Sequence, residues 1–243
     1  MHMGTSHPPD PFPATRWSIV AMSAHRDSRQ ARTALAELCQ IYWYPLYAFV
    51  RRRGHTPHEA EDLTQSFFAL LLEKRWLEDV DRDRGRFRAF LLAAIKHFLA
   101  NERDKAMAQK RGGGQALISL DAGDAEARYR REPADPLTPE KLFARRWAET
   151  LLAQVLAGLE AEFADAGRAA QFEVLKPFLT VERGAISHAE AAARLGTTEA
   201  AAKVAVHRLR RRYRDRLRDE IAQTVAGPDE VESEIRALFA AFQ

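Results

Sequence analysis

The sequence predicts an all-α fold: two small helical domains joined by a flexible linker, the second a helix-turn-helix without a wing, followed by a C-terminal amphipathic helix. Three observations carry that expectation. Apolar residues recur at helical spacing through most of the chain, and strand-like alternation is almost absent. Composition shifts between residues 110 and 140, where Lys110-Arg111-Gly112-Gly113-Gly114 and a mixture of Asp, Arg and Pro sustain no period. Near the C-terminus, Ser187 to Arg218 reads as a short Ala-rich segment, a Leu195-Gly196 break and a long, increasingly basic helix.

Residues 1–29 form a Pro- and His-containing lead with no hydrophobic signal core, expected to be partly disordered. The first domain spans 30–110. Residues 30–53 give one or two helices around Tyr42-Trp43-Tyr44-Pro45-Leu46-Tyr47, whose rings are mostly core and whose Pro45 must start, kink or end a helix. After Gly54 and Pro57 a helix opens with Glu59, Glu61 and Asp62 in its first turns, the sign that favours a helix N-terminus. Ala60, Leu63, Phe67, Leu70 and Leu71 mark its buried side. The pattern breaks over Asp81 to Arg86, and a third helix runs from about Phe87 to Gln109 on Phe90, Leu91, Ala94, Ile95, Phe98 and Leu99.

Residues 111–140 form the linker; no Gly-Lys-Ser/Thr follows the triple glycine and no hydrophobic strand precedes it, which argues against a phosphate loop. The second domain, 141–225, starts with a helical block near Pro139-Glu140 that carries Trp147, Leu151, Leu152, Val155, Leu156 and Leu159. A helix over Ala170 to Leu179 follows. Next, Ala191, Ala192 and Leu195 make a small apolar face, and Gly196 supplies the positive φ of a tight turn. Thr197 or Thr198 caps the basic helix, in which Ala202, Val206, Leu209, Tyr213 and Leu217 face inward while Lys203, His207, Arg210 and Arg214 face away. Residues 226–243 are acidic, and Val231, Ile235, Leu238, Phe239 and Phe242 form an apolar stripe. That helix docks on its own domain, covers the basic helix, or offers a docking site to a regulator.

With 243 residues, 46% hydrophobic and 29% charged, the chain has the composition of a globular protein. Its one cysteine, Cys39, excludes an intrachain disulfide and a Cys-based zinc site, and suits a reducing cytoplasm, the expected location. No stretch approaches a membrane-spanning run, so no membrane insertion is expected. Although the formal net charge is only +3, residues 203–218 hold eight Lys or Arg against one Asp. Such a helix repels itself, and a polyanion whose phosphates release counterions relieves the repulsion, so nucleic acid is the expected partner. Ala200, Ala201 and Ala202 let the start of that helix approach a groove.

Ala60-Glu61-Asp62-Leu63-Thr64-Gln65-Ser66-Phe67-Phe68 is similar to the Asp-Leu-x-Gln-x-x-Phe motif of extracytoplasmic-function sigma factors of bacterial RNA polymerase. Phe87-Arg88-Ala89-Phe90-Leu91-Leu92 resembles that family's Phe-Arg-x-Trp-Leu segment, with Phe90 in the Trp position, and His97 and Asn101 stand where the family has Asn and then Asp. Ser187 to Ala192, Leu195-Gly196 and Lys203 to Arg210 resemble its Glu-Ile-Ala, Leu-Gly, Val-Lys and Arg-x-Arg run. The order and spacing of these motifs over about 30–110 and 140–222 carry the resemblance.

The resemblance implies a transcription initiation factor that performs no covalent chemistry and needs no cofactor or metal. Its partners would be core RNA polymerase and promoter DNA, with an anti-sigma factor or a Ser/Thr kinase as regulator. Glu61, Asp62 and Gln65, supported by Phe67, would meet the polymerase clamp. Lys96, His97, Asn101, Arg103 and Lys105 would face the opened strand of the −10 box, a mix of cations and rings suited to phosphates and unpaired bases. Thr198, Glu199, Lys203 and His207 would approach bases of the −35 box while Arg208, Arg210 and Arg211 hold phosphates. Thr64 would be a phosphorylation site, adding negative charge where a basic partner docks. Two rivals stand beside this. One is a homodimeric helix-turn-helix repressor in which 30–110 dimerises or senses a ligand. The other is a nucleic-acid enzyme using His55 and His58, which Pro57 and the lack of a matching carboxylate arrangement disfavour.

Overall fold

A computed structural model describes Arg16 and residues 29–72, 86–108, 122–130, 137–179 and 186–243. Among these residues the helical periodicity is realised as nine α-helices, with no strand beyond one isolated antiparallel bridge between Arg86 and Val225. The fold is all-α. In chain order the helices are α1 (Arg29–Arg52), α2 (Pro57–Leu72), α3 (Phe87–Ala108), α4 (Ala122–Arg130), α5 (Pro139–Asp165), α6 (Ala169–Leu175), α7 (His188–Leu195), α8 (Glu199–Ala222) and α9 (Pro228–Ala240). A 3₁₀ turn, Lys176–Phe178, follows α6. The triple glycine, residues 81–85 and the rest of the N-terminal lead lie outside the described residues; Arg16 bridges α1 and α8 through Glu37 and Glu220.

Pro45 neither starts nor ends a helix, because α1 runs through it. Its ring nitrogen cannot donate to the Ile41 carbonyl, yet Tyr42, Tyr44, Leu46 and Tyr47 around it are buried, and that packing holds the helix across the gap. Thr56 and Glu59 cap α2 reciprocally. The Thr56 backbone N–H donates to the Glu59 carboxylate at 2.8 Å, and the Glu59 N–H donates back to the Thr56 hydroxyl at 3.3 Å. The Thr56 N–H and the Thr56 hydroxyl, which donates to the same carboxylate at 2.9 Å, hold the Glu59 carboxyl below its ordinary pKa.

Two apolar cores form, and neither follows the expected division at 111–140. The larger unites Tyr42 and Phe49 of α1, Phe67 of α2 and Phe98 of α3 with Phe143, Trp147 and Val155 of α5, Leu217 and Ile221 of α8, and Val231 and Leu238 of α9. The smaller holds Leu159 and Phe163 of α5, Phe172 and Leu175 of α6, and Val206 and Leu209 of α8. Both α5 and α8 therefore pass through both cores. The reason is visible in α5, where Phe143, Trp147, Leu151, Val155, Leu159 and Phe163 are buried at strict four-residue steps. Each step overshoots a full turn by about 40°, so the apolar stripe rotates by about 200° along the helix and faces different partners at its two ends.

Within the expected linker, α4 is a helix docked on α1 rather than flexible chain. Among the described side chains of α4, Ala125 is the one buried apolar residue, and the attachment is largely polar. Glu126 accepts from the Tyr47 hydroxyl at 2.5 Å, from Arg51 Nε and Nη2 at 3.0 and 3.1 Å, and from Arg130 Nε at 3.1 Å. The Arg51 guanidinium also lies 4.9 Å from the centre of the Tyr129 ring, and that of Arg128 lies 3.9 Å from the Tyr44 ring. Burial works to raise the Glu126 pKa, but the bonds from Arg51, Tyr47 and Arg130 outweigh it and bring the carboxyl to about 2.

The acidic tail helix has a structural task. Glu234 is fully buried, and Arg88 of α3 grips it bidentately, Nε to Oε1 at 2.9 Å and Nη2 to Oε2 at 3.1 Å. Arg86 adds an ion pair at 3.4 Å and donates to the Ser233 hydroxyl at 2.7 Å. The Arg88 guanidinium lies 4.6 Å from the centre of the Trp147 ring of α5. Alongside, the Phe87 N–H donates to the Thr224 carbonyl at 3.0 Å. Of the expected tail stripe, Val231 and Leu238 are buried, whereas Phe239 and Phe242 are exposed.

Two outcomes follow from these clusters. Replacing Glu234 by Ala strands Arg88 without its partner and is expected to lower the unfolding free energy in urea by about 3–5 kcal/mol, whereas a loss under about 1 kcal/mol would show the seam independent of the pair. Glu126 has a folded pKa of about 2 against an ordinary 4.5, so its contribution is complete above the higher value and fades as pH falls toward the lower. The stability gap between wild type and E126Q should therefore be flat from neutral pH to about 5 and shrink below it; a gap unchanged at about pH 3 would refute the linkage.

Candidate nucleic-acid interface

The residues from Ser187 to Ala202 build a helix, a tight turn and a second helix through three local devices. The Ser187 hydroxyl accepts from the Glu190 N–H at 3.1 Å and starts α7. Gly196 ends it at φ +62°, a left-handed conformation that costs a residue with a Cβ, and the Thr197 N–H closes the turn on the Ala192 carbonyl at 3.0 Å. Thr198, not Thr197, then caps α8, its hydroxyl accepting from the Ala201 N–H at 3.2 Å. Ala191, Ala192 and Ala202 are buried where α7 meets α8.

Along α8 the cations divide by face. Arg212 pairs with Glu162 of α5 at 2.6 Å, and Arg216 pairs with the same carboxylate. Arg218 pairs with Glu232 of α9. Arg210 is exposed, and its Nε donates to the Phe178 carbonyl at 3.1 Å. Lys203 holds Glu199 at 2.7 Å, an exposed i,i+4 pair whose hydrogen bond lowers the Glu199 pKa. Arg211 lies 3.8 Å from Asp215. His207, Arg208 and Arg214 are exposed and make no ion pair among the described residues. Thr198, Glu199, Lys203, His207, Arg208, Arg210 and Arg211 thus all reach the surface on one helix. Exposed ion pairs of this kind are worth little, so a phosphate can take the place of Glu199 or Asp215.

The residues expected to read a −10 box are less convergent. Lys96 is engaged with Glu140 at the start of α5 at 2.8 Å, a bond that lowers the Glu140 pKa. Lys105 pairs with Glu102 at 2.8 Å. His97, Asn101 and Arg103 are exposed. His97 and Asn101, one turn apart, share one side of α3, while Lys96 and Arg103 lie about 100° or more around it, so the five do not share a face.

On α2, Asp62 is exposed and pairs with His58 Nδ1 at 2.8 Å, and Glu61 is half-buried. Gln65 is buried and donates to Glu61 at 3.1 Å, so the expected polar edge reduces to the two carboxylates. Phe67 is buried, edge-on to Phe68 and 5.8 Å from Phe98. Thr64 corrects an expectation: it is fully buried, and its hydroxyl donates to the Ala60 carbonyl at 2.6 Å. A kinase cannot reach that oxygen in the folded protein, and a phosphate there would be a buried, unpaired charge.

No family model, curated protein or solved structure matches the chain. Among the described residues no helix is long and apolar enough to cross a membrane, and no group of three or more His, Cys, Asp or Glu gathers at metal-binding distance.

Two features of the interface were not expected. Glu162 receives both Arg212 and Arg216, a role hidden because the two segments meet only in the fold. Val204 stands exposed amid the basic surface. It lies two residues from buried Ala202 and two from buried Val206, and that spacing places it on the opposite side of the helix. Together with Ala200, Ala201, Thr197, Gln171 and Arg208 it lines a shallow hollow beside the turn.

The turn depends on its glycine. A Cβ on Gly196 would meet nothing within 4 Å, so Gly196→Ala isolates the backbone term. Thermal unfolding should show a loss of about 1–2 kcal/mol without change in helix content; an unaltered midpoint would mean that the left-handed turn is not required.

Proposed function

We propose that the protein is a transcription initiation factor of the sigma type, acting in the cytoplasm, that binds core RNA polymerase and directs it to specific promoters. In this reading α7, the Gly196 turn and α8 are a DNA-binding helix-turn-helix that meets the −35 box, and α3 meets the opened −10 box. Asp62 and Glu61 face the polymerase. The observation that carries it is α8 itself. Its capped N-terminus is flanked by small residues, and Lys203, His207, Arg208, Arg211 and Arg214 are exposed along it, the arrangement a helix needs to enter a major groove between two phosphate backbones. The motif order read from the sequence then favours a sigma factor over other helix-turn-helix proteins.

The common core of α1, α5, α8 and α9 favours a second reading. A sigma factor that holds two promoter boxes with two modules must part this core or present both faces at one fixed spacing. A homodimeric repressor needs neither.

One experiment separates the two. Purified full-length protein is mixed with core RNA polymerase at low salt, its mass is followed by size exclusion, and transcription is measured on a promoter library. Co-elution with core enzyme and start sites absent from core alone are the expected result. A dimer that ignores core enzyme and still binds duplex DNA would replace the sigma reading with the repressor.

A further inference from the structure

We propose that Val204 is the residue through which α8 reads sequence, by packing its methyl groups on the C5-methyl of a thymine in the major groove. The inference rests on the DNA-binding reading of α8 and adds to it a named base and a named reader. Val204 is 48% exposed on the side of the helix that faces away from both cores. A β-branched residue there lowers helix propensity relative to alanine, and Val204 belongs to neither buried core. Its neighbours one turn either way are Ala200 and Ala201 before it and His207 and Arg208 after it, so it forms a small apolar window with Lys203 and Arg208 near its edge. It is the sixth residue of α8, counting from Glu199, and therefore lies in the first two turns, the part of a groove-bound helix that reaches base edges.

The chemistry of the groove selects the partner. Lys203, Arg208 and Arg211 present only donors, which suit phosphates and guanine acceptors and cannot recognise a methyl group. Among the groups displayed on the major-groove edge, the thymine methyl is the apolar one; the others are hydrogen-bond donors and acceptors. An isopropyl group against the cytosine amino group or a guanine acceptor would strip water from it and return no bond. Against the thymine methyl it removes apolar surface from water on both sides. The alanines beside Val204 leave the approach open, since none extends beyond its Cβ.

The test uses the full-length protein and V204A. Duplexes are first enriched from a random library at low salt. Each thymine of the recovered site is then replaced in turn by deoxyuridine, which removes the methyl and nothing else. Wild type should lose about threefold to tenfold in affinity at one thymine, in keeping with the burial of one methyl. V204A should be indifferent to the replacement at that position while keeping its salt dependence, because its phosphate contacts are intact. Alanine at an exposed helical position does not threaten folding, and the circular dichroism of V204A should match that of wild type. If sites are enriched but both proteins respond alike to every replacement, the proposal is overturned while DNA binding stands, and the exposed Val204 belongs to a protein contact instead. If no duplex is enriched, the DNA-binding reading fails and takes the proposal with it.

Discussion

A carboxylate without water fixes the arrangement. Glu234 sits in the seam where α3, α5 and α9 meet, and a buried charge is tolerable only when its oxygens are fully engaged. Arg88 engages both oxygens, rests its guanidinium on Trp147, and brings α3 to α9 in a single geometry. The same bond delivers Phe87 to the Thr224 carbonyl, which anchors the end of α8. Burial, and then the nearby Glu234 carboxylate, push the pKa of the adjacent Tyr42 hydroxyl upward, as a water-poor pocket requires. Because α8 is held there at one end and by Val206 and Leu209 at the other, the direction in which its basic face points is set by this seam.

The cations of α8 show how one stretch of sequence meets two demands. Eight like charges over residues 203–218 would repel one another on an isolated helix. Arg212 and Arg216 share Glu162, which offsets one of their two charges, and Arg218 pairs with Glu232, on the sides of α8 turned toward α5 and α9. The outward residues are left with weak partners or none. Structural acids thus decide which cations of α8 are left outward, and that set, Lys203, Arg208, Arg210, Arg211 and Arg214, runs from the second turn through the middle of the helix.

Much of the fold was legible in the sequence because periodicity is local. Helix borders at Pro57, Phe87 and Pro139 and the glycine turn at 196 follow from residue chemistry within a few positions. Buried Glu234 was not legible: it lies beside the apolar stripe of α9 and reads as one acid among several, since its partner Arg88 is 146 residues away. Nor was α4, whose attachment rests on Glu126, Arg128 and Tyr129 meeting rings and cations of α1 instead of on an apolar face of its own. Thr64 misled because local rules assign it an accessible hydroxyl and tertiary packing buries it. Pro45, expected to start, kink or end a helix, lies inside α1, where the rings around it hold the helix together.

The rotation of the α5 stripe bears on how the proposed DNA-binding surfaces are held relative to one another. A stripe at ideal helical spacing would face one partner throughout and leave the two segments to be joined by the chain between residues 108 and 139. A stripe stepping by four instead makes one helix, about 40 Å long at 27 residues, the common wall of both cores. The exposed faces of α3 and α8 are then related through continuous helices and a salt-bridged seam. Such a body presents its two polar surfaces at a set separation. Any ligand that engages both either matches that separation or provides enough binding energy to expose Phe143, Trp147 and the rings of α1 that cover them.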